Sequence, residues 1–347
     1  MVFTILFILI PIIYLFLISA TEKEESGIVG FNLWGGLLIL LIFMLSFIFV
    51  ESGDKTLYLE NYLDAENYFE NYDRELLWGK LQIFLSKAFF KNEIIYWLFY
   101  SFFYCIAYYI VAKKFFPYQY AGYFVLCVVA CMGFVAYGSN TIRAGFGIAL
   151  LLMAFCADNK PVKVMLAVAS VGCHMSMLLP VVSYLSTLYI IKKERWCEIV
   201  WILFLVITVM TSVVSDIMSV LGSLDSRADE FANADGTHDI YNVGFKYNFL
   251  LYSTVPILFA KYNLKHLNVE NHIYSHVYRI YLLSNAVWLL LIRIPYTDRI
   301  AYLSWFMIPF LLLYPVLNGQ LDTPHPQRYI FRAIITFMFV NIVLSLK

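Results

Sequence analysis

Long apolar runs recur along almost the whole of this 347-residue sequence. A helix needs about 20 apolar residues to cross a bilayer. Ten runs approach that length, at 2–20, 29–50, 94–112, 117–137, 141–157, 198–221, 247–260, 273–292, 297–317 and 329–346. Hydrophobic residues make up 62% of the chain and charged residues 14%, whereas soluble domains average about 45–50% and about 25%. The sequence therefore predicts an all-α, polytopic integral membrane protein and excludes the soluble enzyme classes.

The apolar stretch 161–190 is too long for one upright helix and short for two. A glycine, a polar residue and a proline interrupt it, at Gly172, His174 and Pro180. Such residues favour a break in a membrane helix. We therefore predict two short helices, 162–173 and 175–190, that meet at His174, which gives about 11–12 transmembrane segments in all.

This break decides which loops share a side of the membrane. With it, the short lysine-rich loops fall on one face, which the positive-inside rule makes cytoplasmic. Both termini and two larger loops, 51–93 and 222–246, then lie outside. Loop 51–93 contains an amphipathic helix expected in the interface plane, with its apolar face formed by Leu77, Leu81, Phe84, Leu85 and Ala88. Without visible repeats or linkers, residues 1–347 are expected to form a single transmembrane domain.

Charge and metal-ligand patterns argue against several partners. The 24 basic and 24 acidic residues balance, so no nucleic-acid-binding surface is implied. The six cysteines contain no CxxC pair, and His272 and His276 lack a third ligand nearby. No Walker motif, GxGxxG, GxSxG or HExxH occurs. We therefore expect no metal, no cofactor and no ATP-driven pump.

Four cationic or titratable side chains lie at predicted outer helix ends: Arg143, His174, Arg293 and Arg299. Charge at a membrane helix is costly and needs a reason. A structural explanation exists for each, because Arg143 can snorkel to headgroups, His174 can cap a helix, and Asp298 can pair with either later arginine. Converging arginines, however, would bind a lipid diphosphate and stabilise it as a leaving group. His174 or Asp54 would then deprotonate an acceptor hydroxyl.

One block of the sequence resembles the EpsG family, which groups with the Wzy-type polysaccharide polymerases. The block runs from Asn140 through Arg143 to Gly145, and His174 with Ser176 follows 31 residues after Arg143. Two further elements add to the likeness. Gly53-Asp54, followed by Tyr58 and Tyr62, resembles the family's G-x-D-x-x-x-Y element, and Arg299 resembles its late arginine.

The resemblance implies a metal-independent glycosyltransferase in the bacterial cytoplasmic (inner) membrane. It would polymerise undecaprenyl-diphosphate-linked oligosaccharides into capsule, O-antigen or exopolysaccharide, with membrane lipid, a flippase and a chain-length regulator as partners. Its catalytic residues would be His174, Arg143 and Asp54. Substrate binding would fall to Arg293, Arg299, Asn140, Tyr58, Tyr62 and Arg227.

Other classes stay open at this point. A lipid-linked oligosaccharide flippase or transporter would carry charges deep in its helices, where only Arg279 and Asp216 look embedded here. An O-antigen ligase-like transferase would be a close mechanistic neighbour. A non-catalytic scaffold of a synthesis complex would tolerate loss of Arg143 and His174.

Overall fold

The regular structure of the chain is helical. A computed structural model describes residues 28, 30–69, 75–210, 244–267, 271–294, 297–321, 323 and 325–345. Within these residues there is no β-strand, only one isolated bridge between Leu267 and Leu321. The predicted span 2–20, most of loop 222–246, and Asp216 and Arg227 lie outside the described residues.

The first eight α-helices of the described residues are α1 Leu33–Phe49, α2 Gly53–Leu63, α3 Ala65–Phe69, α4 Leu76–Ala88, α5 Glu93–Phe115, α6 Ala121–Ala130, α7 Ile142–Cys156 and α8 Lys160–Cys173. The remaining ones are α9 Leu178–Tyr189, α10 Glu194–Met210, α11 Tyr247–Lys265, α12 His272–Leu290, α13 Thr297–Trp305, α14 Ile308–Leu317 and α15 Pro326–Ser345. A π-turn, Ala136–Asn140, precedes α7, and a short 3-10 turn, Met175–Met177, precedes α9.

Two helical segments of the described residues are long and apolar enough to cross a membrane, Glu93–Phe115 and Thr297–Leu317. Counting α1 and α2 as one bent span, with an angle of 78° between them, gives a third. These helices make the chain a membrane protein.

The predicted break in 161–190 is confirmed. Helix α8 ends at Cys173, and His174 has an extended backbone with φ −156° and ψ 118°. The Met175–Met177 turn then leads into α9. Because an extended residue cannot continue the helical ladder, the backbone around Met175 becomes available for other hydrogen bonds.

The predicted amphipathic helix forms as α4, but the inward face differs from the predicted one. Leu77 and Phe84 are 41% and 64% exposed, whereas Trp78, Gln82 and Leu85 are buried. Exposed Leu77 and Phe84 leave the placement of this face at the membrane interface as a prediction, whereas Leu85 packs against the protein instead. The buried Gln82 donates a hydrogen bond from its amide nitrogen to the Tyr100 hydroxyl, which satisfies that donor away from water.

The helices pack in two connected regions. Helix α12 lies among α9, α10, α11, α13 and α14, and α1 packs on α5 and α6. Helix α7 packs on α5 and α8, and α4 covers α8. A separate aromatic cluster, which includes Tyr62, Trp78, Tyr96 and Tyr100, joins α2 and α4 to the first turns of α5 and α7. This cluster supports the end of the bundle at which α7 begins.

Lys55 fastens α2 to the end of α1. Its ammonium donates hydrogen bonds to the carbonyls of Phe47, Ile48 and Val50 at 3.1, 2.6 and 2.9 Å. It also lies 4.7 Å from the centre of the Trp97 ring. The last carbonyls of a helix have no partner within the helix and attract cations, so Lys55 stabilises the sharp bend between α1 and α2.

Candidate active site

A cavity of about 320 Å³ opens at the end of the bundle where α7 begins. Its walls come from α2, α3, α4, the π-turn, the first turn of α7, the break after α8 and the first turn of α13. Its charged side chains and histidine are Asp54, Arg143, Arg299 and His174, and Tyr58 also lines it. These five residues, all predicted to act on substrate, thus meet at one cavity although they are far apart in sequence.

Arg143 lies on the first turn of α7, where the π-turn redirects the chain. Its Nη1 is 2.7 Å from Glu75 Oε2, and its Nε donates to the Tyr58 hydroxyl at 3.3 Å. The guanidinium carbon also lies 5.7 Å from the centre of the Tyr58 ring. These contacts fix the plane of the guanidinium, as a forked ion pair does.

Packing explains why glycine and asparagine flank Arg143 in this motif. A Cβ at Gly145 would come within 2.1 Å of the Tyr137 carbonyl oxygen, so only glycine lets α7 pass beneath the π-turn. Asn140 Oδ1 accepts a hydrogen bond from the Asp54 backbone N–H at 3.3 Å. Asn140 therefore holds α2 against the π-turn and is a positioning residue here, while Gly145 permits the close approach.

Glu75 joins Arg143 to His174. Its side chain is only 7% exposed. The Oε1 atom lies 2.8 Å from His174 Nδ1 and accepts a hydrogen bond from the Met175 N–H at 3.1 Å. The extended backbone of His174 frees that N–H, so the helix break predicted from sequence supplies one of the hydrogen bonds to the carboxylate.

The ionisation of Glu75 follows from these partners. Burial raises the pKa of its carboxyl, but the hydrogen bond from His174, the charges of Arg143 and His174 and the Met175 N–H together lower the pKa from 4.5 to about 2. Glu75 is therefore an anion near neutral pH. An anionic carboxylate accepts hydrogen bonds only, so His174 Nδ1 carries the proton. In the neutral ring, Nε2 is then the atom that can take a proton.

Arg299 and Asp54 form a second, looser pair. Arg299 Nη2 lies 3.5 Å from Asp54 Oδ2, with side chains 45% and 33% exposed. The Tyr137 hydroxyl donates to the Arg299 carbonyl at 3.2 Å and so ties α13 to the π-turn. Exposed pairs of this kind contribute about 0–1 kcal/mol. When Glu75, which is buried behind the lining, is counted with Asp54, two carboxylates balance the two arginines of the cavity.

Three predicted substrate residues are not in the wall of this cavity. Tyr62 is fully buried and stacks on Tyr96 with ring centres 4.0 Å apart. Arg293 donates to the Thr208 carbonyl at 3.4 Å and lies over the Phe245 ring. Asn140 acts one layer behind the wall, through Asp54. The expected third arginine is thus absent from the cavity lining among the described residues.

Glu75 was not predicted from the sequence. It stands at the start of an apolar helix, after Asp73-Arg74, in a segment that reads as a solvated loop. The available signal was a carboxylate three residues before a tryptophan, Trp78, at the start of an apolar helix. In the described part of the chain, no group of three or more His, Cys, Asp or Glu side chains is arranged to hold a metal.

Comparison with known proteins gives one finding. The model of the EpsG family matches residues 32–347, nearly the whole chain. No curated protein and no solved structure matches.

Proposed function

Since this chain belongs to the EpsG family, which is associated with Wzy-type polymerases, we propose that it is a polysaccharide polymerase. The reaction joins undecaprenyl-diphosphate-linked oligosaccharide repeats at the outer face of the bacterial cytoplasmic membrane. One observation carries the proposal. At the cavity, a buried carboxylate, Glu75, orients His174 at 2.8 Å and holds Arg143 at 2.7 Å.

His174 is the general base of the proposed reaction. An acceptor sugar hydroxyl attacks the anomeric carbon of the donor glycan and loses its proton to His174 Nε2. A new glycosidic C–O bond forms, and the bond between the anomeric carbon and the diphosphate oxygen breaks. Glu75 stabilises the imidazolium that results, since a carboxylate on Nδ1 fixes the tautomer and offsets the new charge.

The two arginines have different tasks in this proposal. Arg143 is held by a buried partner, so it orients Glu75 and the base and presents a fixed positive field. Arg299 is half-exposed and loosely paired with Asp54, so exchange of Asp54 for a phosphate oxygen costs little. Arg299 therefore binds the leaving diphosphate, and the arginines supply the cations that stabilise its charge.

Aromatic side chains give the cavity a surface suited to sugar rings. Tyr58, Tyr68, Trp78 and Tyr137 all contribute to its wall. Flat apolar rings with polar edges pack against the C–H faces of sugars while the hydroxyls hydrogen-bond nearby groups. We propose that Tyr58 contacts the sugar next to the diphosphate, because it already touches Arg143.

The proposed topology is multi-pass, with about 11–12 segments and the cavity outside. Support comes from the two ends of α7 and α8. The cavity lies at the Arg143 and His174 ends, whereas Lys160 and Lys163 lie at the opposite end of α8. Lys113 and Lys114 close α5 at that same opposite end. Lysine-rich ends belong on the cytoplasmic side.

The test is the length of lipid-linked glycan in cells that lack this protein. Wild type should restore polymer, whereas Arg143→Ala and His174→Ala should leave single repeats on the outer leaflet. The control is His266→Gln, an exposed histidine away from the cavity, which should behave as wild type. Full-length polymer from folded Arg143→Ala and His174→Ala variants would contradict the proposal. Repeats trapped on the inner leaflet would indicate a flippase, and normal polymer left unattached would indicate a ligase.

A further inference from the structure

A second cavity, also of about 320 Å³, lies at the opposite end of the bundle from the candidate active site. It is bounded by the last turns of α5, α7 and α9 and by the first turn of α12. Along α7, Arg143 in the first cavity and Phe155 beside the second are separated by about 18 Å of helix. The two cavities are therefore separate sites.

The walls of the two cavities differ in chemistry. Thirteen of the eighteen residues around the second cavity are aliphatic side chains, phenylalanines or a methionine. Its polar side chains are Lys114, Asp158, Lys163, His276 and Tyr184. The first cavity suits sugar hydroxyls and phosphate, whereas the second offers an apolar interior of ligand size, since ligand pockets begin at about 300 Å³.

Two lysines make one side of the second cavity positive. Lys114 lies 2.7 Å from Asp158 in an exposed pair, with side chains 40% and 87% exposed. Lys163 is half-buried at the cavity and forms no ion pair with any of the described residues. An exposed pair such as Lys114–Asp158 exchanges its partner readily, so both ammonium groups can turn to an anion at the cavity.

The remaining polar side chains do not compete for that anion. His276 Nε2 lies 3.0 Å from the Thr187 hydroxyl, and its ring stacks on Tyr184 at 5.5 Å. Both are thus parts of the wall. The only carboxylate in the lining is Asp158, which is strongly exposed. The lining therefore combines an apolar chamber with two cations at one edge.

We propose that this cavity binds an anionic phospholipid. An acyl chain fills the apolar chamber, and the phosphate group lies between Lys114 and Lys163. Lysine binds phosphate as a point charge with three donors, and burial of the chain removes apolar surface from water. The proposed polymerase reaction does not require this site, and its test needs no glycan substrate.

The experiment uses purified full-length protein in detergent, with bound lipid counted by native mass spectrometry during titration. The probes are phosphatidylglycerol and phosphatidylcholine with the same acyl chains. We expect wild type to bind one phosphatidylglycerol at least about tenfold more tightly than phosphatidylcholine, because two lysines face the phosphate. The double variant Lys114→Gln/Lys163→Gln should lose this preference.

The matched control removes the same charge at the same end of the bundle. Lys113→Gln/Lys193→Gln replaces two exposed lysines that are outside the cavity lining, and it should bind as wild type. A third variant, Val277→Phe, adds bulk at the cavity wall and should weaken both lipids. Glycerol 3-phosphate and inorganic phosphate serve as probes without a chain, and neither should compete at equal concentration.

Four results would overturn the proposal. The first is equal affinity for the two lipids, and the second is an equal loss in the cavity and control double variants. The third is unchanged binding in Val277→Phe when its thermal unfolding matches wild type. Effective competition by free phosphate would instead assign a soluble phosphate site and would also reject the lipid.

Discussion

The strongest prediction concerns Glu75→Gln. The substitution keeps the size of the side chain but removes the charge that binds Arg143 and His174. A pKa lowered from 4.5 to about 2 corresponds to about 3 kcal/mol of preference for the carboxylate. Arg143 and His174 are 24% and 26% exposed, and solvent screening reduces this to about 2 kcal/mol.

We expect two measurable losses from this change. The free energy of unfolding in detergent should fall by about 2 kcal/mol. The rate of polymerisation from purified lipid-linked repeats should fall about 30-fold, because the same interaction stabilises the imidazolium in the transition state. The rate is measured with fluorescent repeats resolved by chain length, and the free energy by denaturant titration.

The matched control is Glu66→Gln. Glu66 of α3 also forms an ion pair, with Lys87 of α4 at 2.6 Å. Both side chains are about two-thirds exposed, at 66% and 65%. This variant should match wild type in rate and unfolding. If Glu75→Gln behaves like Glu66→Gln in both assays, the account of Glu75 is wrong.

The contribution of Glu75 to the free energy of unfolding depends on pH with a definite sign. The pKa of Glu75 is lower in the folded chain than in the unfolded one, so the unfolded chain binds the proton more readily. The stabilisation is therefore complete above about pH 4.5 and is lost as the pH falls towards 2. The difference in unfolding free energy between wild type and Glu75→Gln should be constant above pH 5 and shrink below it. A difference that grows on acidification would contradict the assignment.

Three further predictions follow from the contacts. Arg299→Lys should raise KM for the lipid-linked donor about tenfold with a smaller change in kcat, since lysine lacks the planar fork; an unchanged KM would exclude Arg299 from donor binding. Gly145→Ala should destabilise the protein by about 2–3 kcal/mol in thermal unfolding, whereas Gly53→Ala, with open space at its Cβ, should not. Lys55→Met should cost about 1–3 kcal/mol by leaving helix-end carbonyls without their partner, and equal unfolding midpoints would contradict that role.

Several features were predictable because their cause is local. The break at His174 follows from neighbouring small residues and a proline, and the apolar runs predict most of the helices. The gathering of Arg143 and His174 was also predicted, because both stand at outer helix ends. The first two features depend on residues within a turn or two of each other, whereas the third follows from the predicted topology, which places both helix ends on one side.

Glu75 was missed because its function depends on distant partners. It is 68 residues from Arg143 and 99 from His174, so neither contact leaves a local pattern. Tyr62 was assigned to substrate because it follows Tyr58 in the element that resembles the family's G-x-D-x-x-x-Y. The four-residue interval between Tyr58 and Tyr62 is one helical turn, but the packing of α2 places the Tyr62 ring against Tyr96. Side-chain direction on a short helix is set by packing, which spacing alone does not determine.

The bend fastened by Lys55 makes the segment after α1 sensitive to insertions and deletions. From Phe47 to Tyr58 the chain is tied to the end of α1, to Asn140 and to Arg143. One residue inserted there turns the rest of α2 by about 100° and carries Tyr58 away from Arg143. Helix α3 follows directly and contributes Tyr68 and Phe69 to the cavity wall. Changes of length in homologous chains should therefore be rare between Phe47 and Phe69.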